Sequence, residues 1–371
     1  MTSAGRRLET ILLAAVAAAG LMLLGRAAAQ EEKVLKVYNL PDYIGESTVE
    51  DFEKLTGISV HYDVYDSDAT LESKLIAGHT GYDVVVASDD FIAKQAGTQM
   101  FRPLDKSQLP NLKNLDPAIL KAAAVYDPGN AVAVPYFWGT MGIGINVAKI
   151  EARQPDAPVD SLDMIFKPAL AKKFADCGVA LPDAPAEVLE IALNYLGRSP
   201  YTAKKADYAA AEKLLRGVRP YIKYFNSTRY IDDMANGEIC LALGWNGDFL
   251  TARNRAAEAR TGILVSYAIP LEGTQMWIDN LAIPSDAEHP GNALKFIDYL
   301  MDPQVSADGA NFVNYATPNL AARPQVKEAL RNDPDVYPPP ELMAKLFPDK
   351  VATTAVERLR SRTWARIKEG E

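Results

Sequence analysis

Three short apolar runs rich in β-branched residues, separated by two amphipathic segments, constrain this chain more than any other feature. The runs are KVLKVYNL (33–40), SVHYDVY (59–65) and YDVVVAS (82–88), each with the length and composition of a strand. Ser47 and Glu50 have the spacing of a capping box ahead of TVEDFEKLT, which Gly57 ends, and SDATLESKLIAG runs to Gly78 in the same way. The order β-α-β-α-β predicts an α/β fold with a mostly parallel sheet and right-handed crossovers. Ligands of such sheets bind beyond the carboxyl ends of the strands. Those ends are LPDY (40–43) and SDDF (88–91).

The first 29 residues stand apart from this pattern. Arg6 and Arg7 precede the apolar run ILLAAVAAAGLMLL, which ends in RAAAQ, the layout of a secretory signal cut after Ala29. The competing reading is a short membrane anchor; no cysteine follows the run to carry a lipid. The segment holds three arginines and one glutamate, so its removal takes the net charge from −9 to −11. An acidic chain repels nucleic acid and anionic lipid and attracts cations. Cys177 and Cys240 are the two cysteines; in an exported chain they either pair or remain as buried thiols. The three histidines, His61, His79 and His289, lie far apart and there is no CxxC, so neither a zinc site nor a histidine-dependent nucleophile is expected.

Further along, NAVAVPYFWGTMGIGINVAKI (130–150) reads as two strand-like runs around a glycine-rich bend. KYFNSTRYIDDMANGEICLALGWNGD (223–248) reads as helix, turn and buried strand, and QMWIDNLAIPSDA (275–287) as another strand. The expected organisation is a signal peptide over 1–29, one lobe from 30–137 plus 256–306, and a second from 138–255 plus 307–371. The arginine-rich tail from Thr354 is expected to be a helix with a solvated basic face, packed through Val356, Leu359 and Trp364. Asp89 and Asp90 are expected to do no more than start a helix.

Two places combine an aromatic face with a carboxylate. In GWNGD, Trp245 stands three residues before Asp248, with Gly244 and Gly247 expected to turn the backbone sharply beside a ligand. In MWIDN, Trp277 and Asp279 share one side of a strand by its period of two. A carboxylate about 4 Å from an ammonium is worth about 4 kcal/mol at an effective dielectric near 20, and a ring adds about 0.5–2 kcal/mol. The acid dominates, and the pair suits an organic cation. The bland alternatives are a core tryptophan beside a capping aspartate, and a surface acid beside a half-buried ring.

VYNLPDYI, DFEKLTGISVHYDVYDSD, KLIAGHTGYDVVVAS, RPLDKSQLPN, NLDP, CGVALPDAPAEV, NYLGRSP, YIDDMANGEICLALGWNGD and KLFPDKV, in this order, closely resemble the periplasmic polyamine-binding proteins of bacterial ABC importers, the putrescine-binding members most of all. The resemblance spans nearly the whole chain after the signal. It implies a two-lobed type II periplasmic binding protein fold with the ligand cleft between the lobes, no catalysis, no cofactor, no metal, a monomer, a membrane permease as partner, and a Cys177–Cys240 disulfide. It places the ligand cleft at Asp42, Tyr43, Ser88, Glu187, Trp245, Asp248, Trp277, Asp279 and Tyr315. One terminal ammonium would meet Asp279 with Asp42 nearby, the other Asp248 and Glu187, while rings flank the methylenes.

The first loop departs from the family, which usually has a tryptophan and a hydroxyl residue where this chain has Leu40 and Pro41. That loss of a quadrupole and a donor opens the choice among putrescine, spermidine, agmatine and cadaverine. Two other classes compete: a polyamine sensor built on the same lobes, and an exported hydrolase using paired carboxylates.

Overall fold

A computed structural model describes residues 31–65, 68–95 and 98–369. The expected signal segment lies outside the described residues. Among the described residues no helix is long and apolar enough to cross a membrane.

The alternation at the start is present as β1 (Val34–Asn39), α1 (Thr48–Thr56), β2 (Ser59–Val64), α2 (Asp68–Ile76), β3 (Val84–Ser88) and α3 (Asp89–Gln95). β1 pairs in parallel with both β2 and β3. α1 ends as its sequence implies, with Gly57 left-handed at φ 67° and its N–H returned to the Glu53 carbonyl. Its start differs. Ser47 adopts a helical backbone, caps no N–H, and donates instead to Asp51 Oδ2 at 2.7 Å.

The stretch read as two runs around a bend is one strand, β4 (Ala133–Asn146), buried throughout. It changes partners rather than direction: Ala133–Thr140 pair within 276–282, Met141–Ile145 with 241–245, and Ile143–Asn146 with 265–268. The ladder satisfies the backbone on both sides, so the glycines have no turn to make. The remaining elements used below are β5 (Val179–Leu181), α4 (Pro185–Tyr195), β6 (Ile222–Phe225), α5 (Arg229–Ala235), β7 (Leu241–Trp245), α6 (Asn246–Glu258), β8 (Val265–Ala268), β9 (Gln275–Ala282), α7 (Pro303–Val313), β10 (Phe347–Pro348) and α8 (Thr354–Glu369). The strands run in the order β2-β1-β3-β9-β4-β7-β5-β6, with β10 on β9 and β8 on β4.

Among the described residues four apolar clusters cover this long sheet, and the two largest divide it. The first gathers Leu35, Val37, Phe52, Ile278 and Phe296; the second gathers Met141, Ile143, Phe174, Val188 and Trp364. Each fully buried side chain of this size contributes about 1.5–3 kcal/mol. On β4 the change of core falls between Trp138 and Met141. Ala307 to Tyr337, which the expected boundaries give to the second lobe, contribute Ala310, Val313, Ala322 and Tyr337 to the first core. β8, given to the first lobe, pairs with the second half of β4. Gly309 of α7 lies against Phe137 of β4, Ala316 bridges to Trp138 of β4 and Tyr315 meets Trp277 of β9, and packing of this kind across a boundary leaves no compositional mark.

Cys177 and Cys240 form a disulfide, with Cα atoms 5.5 Å apart. They precede the neighbouring parallel strands β5 and β7, whose register sets Val179 opposite Leu241. The bond therefore ties the entry ends of two adjacent strands.

Candidate functional site

The site is built where strand ends from both halves of the sheet meet. After β1 the side chain of Asn39 accepts from Leu40 N at 2.7 Å and donates to the Tyr43 carbonyl at 3.1 Å. This closed loop puts Tyr43 inside, 6% exposed. It turns Asp42 out to solvent in a left-handed conformation at φ 54°. β3 ends at Ser88, directly opposite Asp279 in the antiparallel ladder with β9. The pleat of β9 then sends Gln275, Trp277 and Asp279 to one face. From the other half come Trp245 at the end of β7 and Glu187 in the first turn of α4. Tyr315 follows the left-handed Asn314 that closes α7.

These side chains enclose a cavity of about 270 Å³ lined by Leu40, Tyr43, Ser88, Asp89, Asp90, Glu187, Trp245, Gln275, Trp277, Asp279, Tyr315 and Asp349. Seven of the nine residues named from sequence are among them. Asp42 is not, because its backbone turns it outward. Asp248 is not among them either: it sits, half-buried, in the first turn of α6, and its charge, like that of Asp279, acts on the Tyr315 hydroxyl. Leu40 lines the cavity at the position of the departure noted above, whereas Pro41 is exposed.

The rings are fixed by contact with one another and with the acids. Trp277 meets Tyr315 edge-on at 4.8 Å and 88°, and Tyr315 meets Tyr43 at 5.9 Å. The Trp277 indole N–H is buried without a partner. Tyr43 donates to Asp279 Oδ2 at 2.6 Å. Burial, then the Asp279 charge, hold the Tyr43 phenol well above its usual range, so it stays a donor. Gly247 serves the site by being small rather than by turning, since a methyl group there would overlap the Tyr315 ring.

Among the described residues five carboxylates line the cavity, from Asp89, Asp90, Glu187, Asp279 and Asp349, and no lysine or arginine does. Burial pushes the Glu187 carboxyl up to about 7, with the charges of Asp349 and Asp90 acting the same way. Burial also raises Asp89 well above the usual carboxylate range, helped by Asp349 and Asp279. It raises Asp349 too, next to Asp90. Crowding of like charge in a poorly hydrated slot favours protons or cations.

Sequence reasoning missed Asp89, Asp90, Gln275 and Asp349 as parts of this wall. The acids of α3 do start a helix, and Asp89 Oδ1 accepts from Asp90 N at 2.8 Å, but its other oxygen takes Ile278 N of β9 at 3.2 Å. Asp349 follows β10 and comes from the far end of the chain. The motif KLFPDKV that carries it was visible as a family likeness, and nothing local in it marks a cleft. Directly behind the wall the buried Glu190 pairs with Arg360, which is itself 3% exposed. Arg360 comes from the tail helix read as solvated on its basic face. Burial and the Asp349 charge push the Glu190 carboxyl up to about 10 despite the arginine.

A family model described as bacterial extracellular solute-binding protein matches residues 47–338. The chain is 49% identical over 350 residues to the putrescine-binding periplasmic protein SpuD of Pseudomonas aeruginosa, covering 94% of this chain and 95% of that one. It is 48% identical over 345 residues to the putrescine-binding periplasmic protein PotF of Escherichia coli, covering 92% and 93%. Among solved structures, the spermidine/putrescine ABC transporter substrate-binding protein PotD of Streptococcus pneumoniae superposes with a TM-score of 0.82 at 27% identity, covering 91% of this chain and 99% of that one.

Proposed function

We propose that this chain, which belongs to the bacterial extracellular solute-binding protein family, captures a linear polyamine between its two cores and delivers it to the membrane permease of an ABC importer. Putrescine is the first ligand, the one named for the relatives of highest identity given above. The observation that carries the reading is the aromatic slot walled, among the described residues, by five carboxylates and no cation. A flexible dication needs both charges matched on leaving water and a hydrocarbon middle held on flat apolar surfaces. Asp279 serves one ammonium, Glu187 the other, and Trp245, Trp277 and Tyr315 hold the methylenes. Asp248 adds its charge beside Tyr315.

The division into lobes follows the cores, with the chain crossing between Trp138 and Met141, between Ile269 and Met276, and between Tyr337 and Phe347. Closure about these crossings brings Glu187 and Trp245 towards Asp279. The protein acts in the periplasm as a monomer after export by its signal peptide, and it binds without catalysis.

A triamine such as spermidine is the second reading. Asp89, Asp90 and Asp349 give the wall three acids beyond the two assigned to the ammoniums, of which Asp90 is paired with Lys94 at 2.5 Å. Calorimetric titration with putrescine, cadaverine, agmatine, spermidine and spermine separates the two; silence from all five would end the polyamine reading. Import is favoured over sensing by the transporter relatives, and loss of polyamine uptake on deleting the neighbouring permease gene is the expected result.

A further inference from the structure

The two acids beside tryptophans each accept from a buried tyrosine, and only one of those tyrosines lines the slot. Tyr230 lies on α5, is 0% exposed, and donates to Asp248 Oδ2. Its hydroxyl oxygen also accepts the backbone N–H of Trp245 at 3.2 Å. One hydroxyl thus joins the strand end that carries the indole to the helix start that carries the acid. The ring is clamped by Phe249 at 5.5 Å. It lies so close to β7 that a Cβ on Gly244 would come within 2.6 Å of it. The glycine of the opening GW pair therefore makes room for a phenol.

We propose that Tyr230 is a positioning residue for ligand capture, holding Asp248 in one orientation and keeping it ionised while setting the register of Trp245. The inference rests on the polyamine reading above. Among the described residues no other donor reaches Asp248, and the nearest cation, Arg255, is engaged with Asp232 at 2.7 Å. Tyr315 faces Asp248 from the α7 side as a neutral phenol, held well above its usual range by burial and the neighbouring acids. Burial raises the Asp248 carboxyl to about 6, and the bond from Tyr230 opposes that rise ahead of the more distant Arg255 charge. The Tyr230 phenol is itself pushed well up by burial and by Asp248, so it donates across the whole physiological range. A hydrogen bond to a charged group is worth about 1.5–3 kcal/mol, and removing this one leaves an acid that protonates more readily and swings freely.

The test is a double-mutant cycle in the full mature protein, read by calorimetric titration with putrescine between pH 5.5 and 8.5. Tyr230→Phe is expected to weaken binding about tenfold at pH 7.5, in keeping with a charged hydrogen bond. It should also move the midpoint of the acid-side loss of affinity upwards, so the ratio to wild type grows as pH falls. In an Asp248→Asn background the same change should cost less than threefold. A loss of affinity with an unmoved midpoint, or equal losses in both backgrounds, would reduce Tyr230 to a core residue and overturn the inference. Absence of binding by the wild-type chain would overturn the polyamine reading and this inference with it.

Discussion

Asp279 and Asp248 each sit near a tryptophan and each accept from a buried tyrosine, yet the chain holds them by different means. Asp279 is strand-borne, with Ser88 opposite it on one side and Phe137 on the other. Its position is set by two backbone ladders before any side chain contributes. Asp248 is helix-borne, in the first turn of α6, where the macrodipole favours a negative charge by about 0.3–1 kcal/mol. Its orientation depends on one phenol. The strand acid lines the cavity, and both acids act on the Tyr315 hydroxyl. Two similar stretches of sequence thus produce one acid placed by backbone ladders and one placed by a single side chain.

The largest effect should come from breaking the strand-borne end. Asp279→Asn is expected to weaken binding by about 2–5 kcal/mol, the cost of removing one partner of a buried charge pair. Asp248→Asn should fall at or below the lower bound of that range. Calorimetry on both variants checks the order, and a reversed order would mean that the helix-borne acid is the principal contact.

Acidity offers a second and smaller separation. Glu187, Asp89 and Asp349 all have raised carboxyls in the folded chain. The native state therefore binds more protons than the unfolded one, and ligand-free stability is fully present below the unfolded carboxylate range and declines as pH rises through about 7. Between pH 5.5 and 8 the ligand-free Tm should fall by about 2–4 °C for each kcal/mol lost. Putrescine should lessen that fall by supplying cations in place of protons. A Tm that rises over this interval would show that the wall is ionised and uncrowded.

The smallest change concerns the first loop. Leu40 lines the cavity without a quadrupole, and Leu40→Trp is expected to shift relative affinities among the five amines by about 0.5–2 kcal/mol. An unchanged order of preference would make that wall irrelevant to selection.

Much of this was legible along the chain. β1 to α3 follow directly from run length and glycine punctuation, because strand and helix periodicities are local properties. Trp277 and Asp279 could be placed on one face from a period of two, and both do line the slot. Asp42 and Tyr43 could not be told apart, since adjacent residues in a loop go in or out according to a left-handed backbone that Asp42 adopts without glycine to announce it. β4 reads as two runs because a strand that changes partners between two glycines, Gly139 and Gly142, looks like a bend. Arg360 reads as surface because the acid that buries it, Glu190, is 170 residues away.

From its order of residues alone this chain is α/β, acidic, and equipped with aromatic and acid pairs at strand ends, because each of these is decided by composition or by spacing within a few residues. Which acids face one another was settled only when distant segments met. Asp349 after β10, Asp89 and Asp90 on α3 and Glu187 on α4 come together across the joint of two cores, and Tyr230 reaches Asp248 across a turn and a strand. Coulomb attraction and desolvation act through space, and the distances they depend on come into being with the packing.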